Sequence, residues 1–241
     1  MITYAMLTNQ GGRENNEDYV GMKEANGAYC FVLADGLGGH GRGEVASQLV
    51  VEEMKALFHN TKNTENYLQK AFTTSQEKLR KYQKAEHAMN EMKTTAVLLA
   101  VTEETIQWGH IGDSRLYFFK GNRIADRTLD HSVPQMLVAS GEIKAKDIRN
   151  HPDRNRLLRV MGNEWNVPKY ELSKTVKNKK KQSFLLCSDG FWELIGEKEM
   201  KRLLKSASSV DEWLKEMEKV VLENGKGEEM DNYSAVGVWI R

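Results

Sequence analysis

Tyr29-Cys30-Phe31-Val32-Leu33-Ala34 runs without a charged side chain into Asp35-Gly36. A short apolar run of β-favouring residues reads as a buried strand, and an Asp-Gly pair marks a turn at its end. Gly38, Gly39, Gly41 and Gly43 follow, so the strand opens into a glycine-rich loop. Beyond the loop, Glu44 to Phe58 predicts a helix with Val45, Leu49, Val50, Met54 and Leu57 on one face. A second helix is expected from Thr64 to about Met89, where Leu68, Phe72, Leu79 and Tyr82 recur at helical steps. Strand signals then crowd together in Thr94 to Val101, Thr105 to Ile111 and Arg115 to Phe119. Gly112-Asp113-Ser114 breaks the last two, and Gly121-Asn122 is a hairpin turn signal.

From Asp130 to about Lys180 the pattern loosens, with one short helix expected over Ser132 to Ser140. The four lysines within Lys177 to Lys181 read as a solvated turn before a strand, Gln182 to Ser188. Helices over Glu197 to Leu204 and Val210 to Asn224 precede a final strand, Tyr233 to Ile240. This order lacks the strict strand–helix alternation of a parallel α/β fold. It predicts an α+β domain over residues 1–241, with largely antiparallel sheets covered by helices.

Lys+Arg is 35 and Asp+Glu is 34, a formal net charge of +1. A nucleic-acid binder would carry a large basic excess, so that class is excluded. Apolar residues make up 40% and charged residues 29%, a globular composition. No apolar window is long enough to span a membrane, and Met1 to Thr8 lacks the pattern of a signal peptide. Cys30 and Cys187 each sit inside an apolar run, which points to buried thiols in the cytoplasm, with a disulfide as the minor alternative.

The aspartates carry the chemistry. Glu17-Asp18, Asp35-Gly36, Gly112-Asp113-Ser114 and Ser188-Asp189-Gly190 are expected where strands stop, and Asp231-Asn232 lies just before the last strand. Any one of these alone reads as a turn cap. If the strands of Asp35 and Asp189 are sheet neighbours, however, their carboxylates converge and repel unless cations neutralise them. An oxygen-rich set without thiolates suits Mg²⁺ or Mn²⁺. Two such ions, about 3.5–4 Å apart, would bridge a hydroxide and clamp a phosphate. Gly36 would let a backbone carbonyl approach a metal. Arg13, five residues before Asp18, offers a fork for two phosphate oxygens, with an ordinary surface arginine as the alternative.

Taken together, the motifs resemble the metal-dependent serine/threonine protein phosphatases of the PPM (protein phosphatase 2C) family, of the small bacterial type. The carrying stretches are Gly11-Gly12-Arg13-Glu14-Asn15-Asn16-Glu17-Asp18 and Ala34-Asp35-Gly36-Leu37-Gly38-Gly39-His40-Gly41. Lys93-Thr94-Thr95-Ala96, His110-Ile111-Gly112-Asp113-Ser114-Arg115 and Leu129-Asp130-His131-Ser132 follow in the family's order. Asn150-His151-Pro152, Cys187-Ser188-Asp189-Gly190 and Asp231-Asn232-Tyr233-Ser234 complete the set.

The resemblance implies a four-layer α-β-β-α sandwich with two central antiparallel sheets, and a flap subdomain at about 130–180. It implies two Mn²⁺ or Mg²⁺ ions per chain and a weaker third site. Asp35 would bridge both ions, the Gly36 carbonyl would hold one, and Asp18 and Glu17 would hold its waters. Asp189 and Asp231 would hold the other ion, and Asp113 with Asp189 the third. Arg13 would bind the substrate phosphate, and water activated between the metals would attack phosphorus without a phosphoenzyme. Animal members carry a histidine directly after the Asp-Gly pair. Leu37 stands there in this chain, so His40 is kept as a candidate for leaving-group or substrate contact rather than as the acid. His110 and His131 read as strand-end or loop polar residues.

The expected partners are phosphorylated proteins and a cognate Ser/Thr kinase, and the expected state is a monomer. One alternative is a phosphatase dedicated to a single regulatory protein, of the anti-sigma-factor antagonist type. Such enzymes carry sensor domains, for which 241 residues leave no room. The other is a non-catalytic pseudophosphatase, which the presence of Asp35, Asp189 and Asp231 opposes.

Overall fold

The computed structural model describes residues 1–37, 42–59 and 63–241. The first part of the chain forms β1 (Ile2–Asn9), β2 (Asp18–Ala25), β3 (Ala28–Leu37), α1 (Gly43–Ala56) and α2 (Thr64–Ala85). Strands β4 (Lys93–Thr94), β5 (Ala96–Val101), β6 (Thr105–Ile111), β7 (Arg115–Lys120) and β8 (Arg123–Arg127) come next. Helix α3 (Val133–Ser140), a 3₁₀ turn (Ala145–Asn150), β9 (Glu171–Leu172) and β10 (Val176–Lys177) make up the sparse stretch. The chain closes with β11 (Gln182–Cys187), α4 (Asp189–Trp192), α5 (Glu197–Ser206), α6 (Val210–Asn224) and β12 (Tyr233–Ile240).

One sheet has the order β1-β12-β11-β7-β8, and the other β10-β6-β5-β3-β2, with β4 on β3 and β9 on β6. Every pairing is antiparallel. Strand β3 explains why its sequence showed no alternation. Phe31 and Leu33 point into a layer between the sheets, against Phe184, Leu186, Val236 and Val238. Cys30, Val32 and Ala34 point the other way, into the layer beneath α1 and α2. A strand covered on both faces is apolar throughout. A third layer packs α5 and α6 on the opposite sheet through Trp213, Met217 and Trp239. The helix–sheet–sheet–helix order is therefore the expected four-layer sandwich.

Several expectations need correction. The helices end earlier than their apolar steps suggest, at Ala56 and Ala85. The strand expected from Thr94 is split at Thr95, whose N–H and hydroxyl are both turned to Asp35. Asp18 begins a strand rather than ending one, because β1 and β2 are polar or half-exposed edge strands with no run to mark them. Asp35 and Asp189 do not belong to neighbouring strands. Strand β3 lies in one sheet and β11 in the other, so the two carboxylates meet across the sandwich. Cys30 and Cys187 are both buried and free, as their apolar settings required, and burial pushes the Cys30 thiol up to about 11.

Candidate metal centre

All the aspartate motifs arrive at one end of the sandwich. Asp18 and Asp35 sit opposite each other in the β2–β3 ladder. The Asp35 backbone is pinned: its N–H donates to Thr95 Oγ1 at 3.0 Å, and its carbonyl accepts from the Thr95 N–H and the Thr94 hydroxyl, each at 2.8 Å. Gly36 is enclosed by backbone, since a Cβ there would lie 2.3 Å from the Gly43 carbonyl oxygen and 2.7 Å from that of Glu17. Only glycine fits, and the same crowding holds Glu17 against the start of α1. From the facing sheet, Asp189 opens the single turn of α4 directly after β11. Gly112 takes φ +102°, a left-handed conformation that suits glycine, and turns the chain so that Asp113 follows into the cavity. Asp231 and Asn232 lead into β12 from the same side.

Arg13, Glu17, Asp35, Asp113, Asp189 and Asp231 line a cavity of about 750 Å³, and the buried Asp18 is paired with Asp35 behind its wall. Its electrostatics are unbalanced. Withdrawal from water pushes the Asp18 carboxyl up to about 7, with the charges of Asp189 and Asp231 adding to it. Asp189 is pushed up to about 6 by the same withdrawal and by Asp231. Asp35 and Asp113 are raised well above the usual carboxylate range, by desolvation first and then by Asp189. Carboxylates in this condition want either protons or cations.

The donor set passes a direct test for divalent ions. Asp18 is buried, and its Oδ2 accepts from the Ser188 hydroxyl at 2.7 Å, but its Oδ1 has no partner among the described residues. A buried carboxylate oxygen without a donor costs stability unless something positive approaches it. The site supplies oxygen and no sulfur, which suits Mg²⁺ or Mn²⁺.

Arg13 is not free in this arrangement. Its Nε and a terminal nitrogen each lie 3.1 Å from an Asp231 oxygen, a fork-to-fork ion pair at the cavity rim. His40 lies outside the described residues.

Sequence reasoning did not assign roles to the residues that hold these carboxylates. Ser188 donates to Asp18 and accepts the Ser234 N–H at 2.9 Å. Asn232 binds the β1–β2 connection at three points: its Oδ1 accepts the Glu17 N–H, and its Nδ2 donates to the carbonyls of Gln10 and Asn15. Their signal was present as small polar residues beside each aspartate, but the pairings join positions up to 222 residues apart. Asn155 and Leu157, from the sparse stretch, also line the cavity.

His110, His131 and Glu171 form a second group of potential ligands, with one ligand atom each within 4.8 Å of the others. Its chemistry differs. Arg159 already brings a cation, 2.9 Å from Glu171 and 3.5 Å from His131 Nε2. The Gly112 N–H occupies His131 Nδ1 at 3.2 Å, and His110 Nε2 meets the Leu129 carbonyl at 2.8 Å. Burial, followed by His110, lowers His131 to about 4, so the ring is neutral at pH 7. The group works as a clamp tying Arg159 and Glu171 to the Gly112 turn.

The protein phosphatase 2C profile matches residues 9–232. The chain belongs to the protein phosphatase 2C family. The serine/threonine phosphatase stp of Listeria welshimeri is 33% identical over 207 residues, 83% of this chain and 81% of that one. The crystal structure of Stp1 from Staphylococcus aureus superposes with a TM-score of 0.89 at 29% identity, covering 100% of this chain and 96% of that one. The catalytic domain of the serine/threonine protein phosphatase PstP, solved with 2 manganese ions, superposes at 0.83 with 27% identity, over 99% of this chain and 98% of that one. Membership makes this chain a metal-dependent serine/threonine protein phosphatase acting on phosphoproteins. No helix among the described residues is long and apolar enough to cross a membrane.

Proposed function

We propose that this phosphatase hydrolyses phosphoserine and phosphothreonine at the Asp35–Asp189 cavity, using two Mn²⁺ or Mg²⁺ ions. Asp35 is assigned to both ions, the Gly36 carbonyl to one, and Asp18 and Glu17 to the waters around it. Asp189 and Asp231 are assigned to the other ion, and Asp113 with Asp189 to a third, weaker site. The observation that carries this reading is the set of raised, converging carboxylates with a buried, partnerless Asp18 Oδ1. Bound there, the ions would polarise a phosphoryl group and activate water.

The chain's own residues do the rest. Thr94 and Thr95 fix the Asp35 backbone, which sets the point from which its carboxylate projects. Ser188 holds Asp18 in one orientation. Arg13 borders the cavity, and its planar fork matches two phosphate oxygens. An entering phosphomonoester competes with Asp231 for it. Neither thiol is placed for attack, since Cys30 and Cys187 are both buried away from the cavity lining. A monomeric, cytoplasmic enzyme opposed by a Ser/Thr kinase remains part of this reading, and it is supported by the family resemblance.

The test is release of phosphate from phosphothreonine peptides in millimolar Mn²⁺. EDTA should abolish it, and Asp189→Asn should lower it at least ~10²-fold, the scale of losing one preorganised charged group. Activity that survives EDTA, or an Asp189→Asn protein with full activity, overturns the assignment.

A further inference from the structure

The end of the sandwich opposite the aspartates carries an equally crowded set of cations. Lys177 ends β10, Lys179, Lys180 and Lys181 sit in the turn between β10 and β11, and all four are exposed. Lys120 and Arg123 flank the β7–β8 hairpin turn beside them, and Arg241 follows β12. The Gly121 N–H donates to the Lys181 carbonyl, and the Lys181 N–H to that of Ile240, each at 2.8 Å, so the three segments are joined. None of these cations has a carboxylate within ion-pair distance among the described residues, although Glu103 and Glu104 lie on the adjoining β5–β6 turn. In a chain of net charge +1, this end is a pronounced positive pole.

The lysine turn is held in shape. Asn178 donates from its backbone to the Glu104 carbonyl at 2.8 Å and from its side chain to that of Thr102 at 2.7 Å. The Gln182 side chain accepts the Lys179 N–H at 2.7 Å and donates to the Lys177 carbonyl at 3.2 Å. Lys181 itself sits at φ +63°, in the left-handed region that favours glycine or asparagine. Holding like charges together in a fixed turn opposes their repulsion, which a loose solvated turn would relieve.

Beside this turn lies a hollow of about 560 Å³. Leu204 and Ile240, each more than nine-tenths buried, form its apolar floor, and Lys180, Lys181 and Arg241 supply its cations. The Arg241 guanidinium lies 3.9 Å from the centroid of the Trp239 ring, which braces it. A concave cationic site with an apolar component fits a protein segment better than a flat anionic sheet of lipid, because lipid headgroups would leave the hollow unfilled.

We propose that this pole is a docking site for a short acidic segment of a partner protein, carrying one apolar side chain that seats on Leu204 and Ile240. Strand β11 has 6 residues and separates the pole from Asp189, a distance of about 20 Å at ~3.3 Å per residue. A docked segment would therefore leave the catalytic cavity open to substrate, and the inference does not depend on the metal assignments.

The experiment is fluorescence anisotropy on the full chain, with a labelled peptide of Glu and Asp residues around a central Leu. Saturable binding is expected at low salt, weakening severalfold as ionic strength rises. Lys179→Glu/Lys180→Glu, and separately Arg123→Glu on the neighbouring hairpin, should each weaken it about tenfold through like-charge contact. Replacing the peptide Leu by Ser should also weaken it about tenfold. Hydrolysis of p-nitrophenyl phosphate should be unchanged in both variants, showing that they are folded. The proposal is overturned if either variant binds as the wild type does, or if the Ser peptide binds as tightly as the Leu peptide. It is equally overturned if only vesicles of phosphatidylglycerol in phosphatidylcholine are bound.

Discussion

Two clusters of buried charge lie side by side in this molecule, and they have been solved in opposite ways. Arg115 and Asp130 are 2% and 1% exposed, and are joined by two hydrogen bonds of 2.8 and 2.6 Å. The Tyr117 hydroxyl accepts from the same guanidinium at 3.1 Å, and the Trp192 ring lies 3.3 Å beneath it. Burial works against the charged arginine, but Tyr117 and Asp130 outweigh it, so its pKa is raised. At the cavity rim Arg13 answers Asp231, but the deeper aspartates have no such cation from the protein: Asp35 and Asp113 sit well above their ordinary pKa, and one oxygen of Asp18 has no partner among the described residues. Trp192 links the two, since its indole N–H donates to the Asp113 carbonyl at 3.0 Å. A balanced cluster is architecture, and an unbalanced one beside it is a binding site waiting for a counter-charge.

The sharpest break of this comparison is Asp130→Asn. It leaves the Arg115 guanidinium buried beside a neutral amide. Removing one partner of a buried pair costs about 3–5 kcal/mol. Urea unfolding should show the unfolding free energy, taken as midpoint times m-value, falling by that amount, and a loss below about 1 kcal/mol would mean that the pair is not the balanced anchor described here.

A smaller effect comes from pH acting on the metal-free protein. Carboxyls raised in the fold bind protons more tightly there than in the unfolded chain. Their stabilisation is complete below the ordinary carboxylate pKa and is lost as pH rises through the folded values, about 7 for Asp18 and about 6 for Asp189. The metal-free protein should therefore lose stability, and not gain it, as pH rises from 4 to 7. Thermal melts in EDTA and in Mn²⁺ should diverge across that window, because a bound cation stabilises only the fold. Parallel curves would remove the unbalanced cluster from the account.

Much of this was legible in the amino-acid order. Asp35, Asp113 and Asp189 announced themselves by standing just past apolar runs, and the composition of the donor set named hard divalent ions. Other features were hidden for physical reasons. Strands β1 and β2 lie at sheet edges with weak alternation, so Asp18 looked like the end of an element that it begins. Asp35 and Asp189 converge from different sheets, a relation that depends on how the sandwich closes rather than on any local pattern. Arg115 and Asp130 are 15 residues apart and meet only because the β7–β8 hairpin returns the chain. The turn Lys177 to Lys181 reads as solvent-facing, which it is, yet it is fixed by hydrogen bonds to Thr102, Glu104, Gly121 and Ile240, which the sequence does not place nearby.

The finest test sets one cluster against the other by sign. Asp113→Asn keeps the shape of the side chain and removes one of the repelling charges. Where Asp130→Asn creates an unbalanced charge, Asp113→Asn deletes one, so the metal-free variant should be more stable than the wild type at pH 8. At pH 4 the gain should vanish, because the wild-type carboxyl, raised well above its ordinary range, is then already protonated. Added Mn²⁺ should reverse the order, since the wild type gains a ligand that the amide supplies poorly. Urea midpoints under these conditions measure all three signs. A variant destabilised in EDTA at pH 8 would show that Asp113 is held by donors within the fold, as Asp130 is, and that the contrast between the two clusters is one of degree.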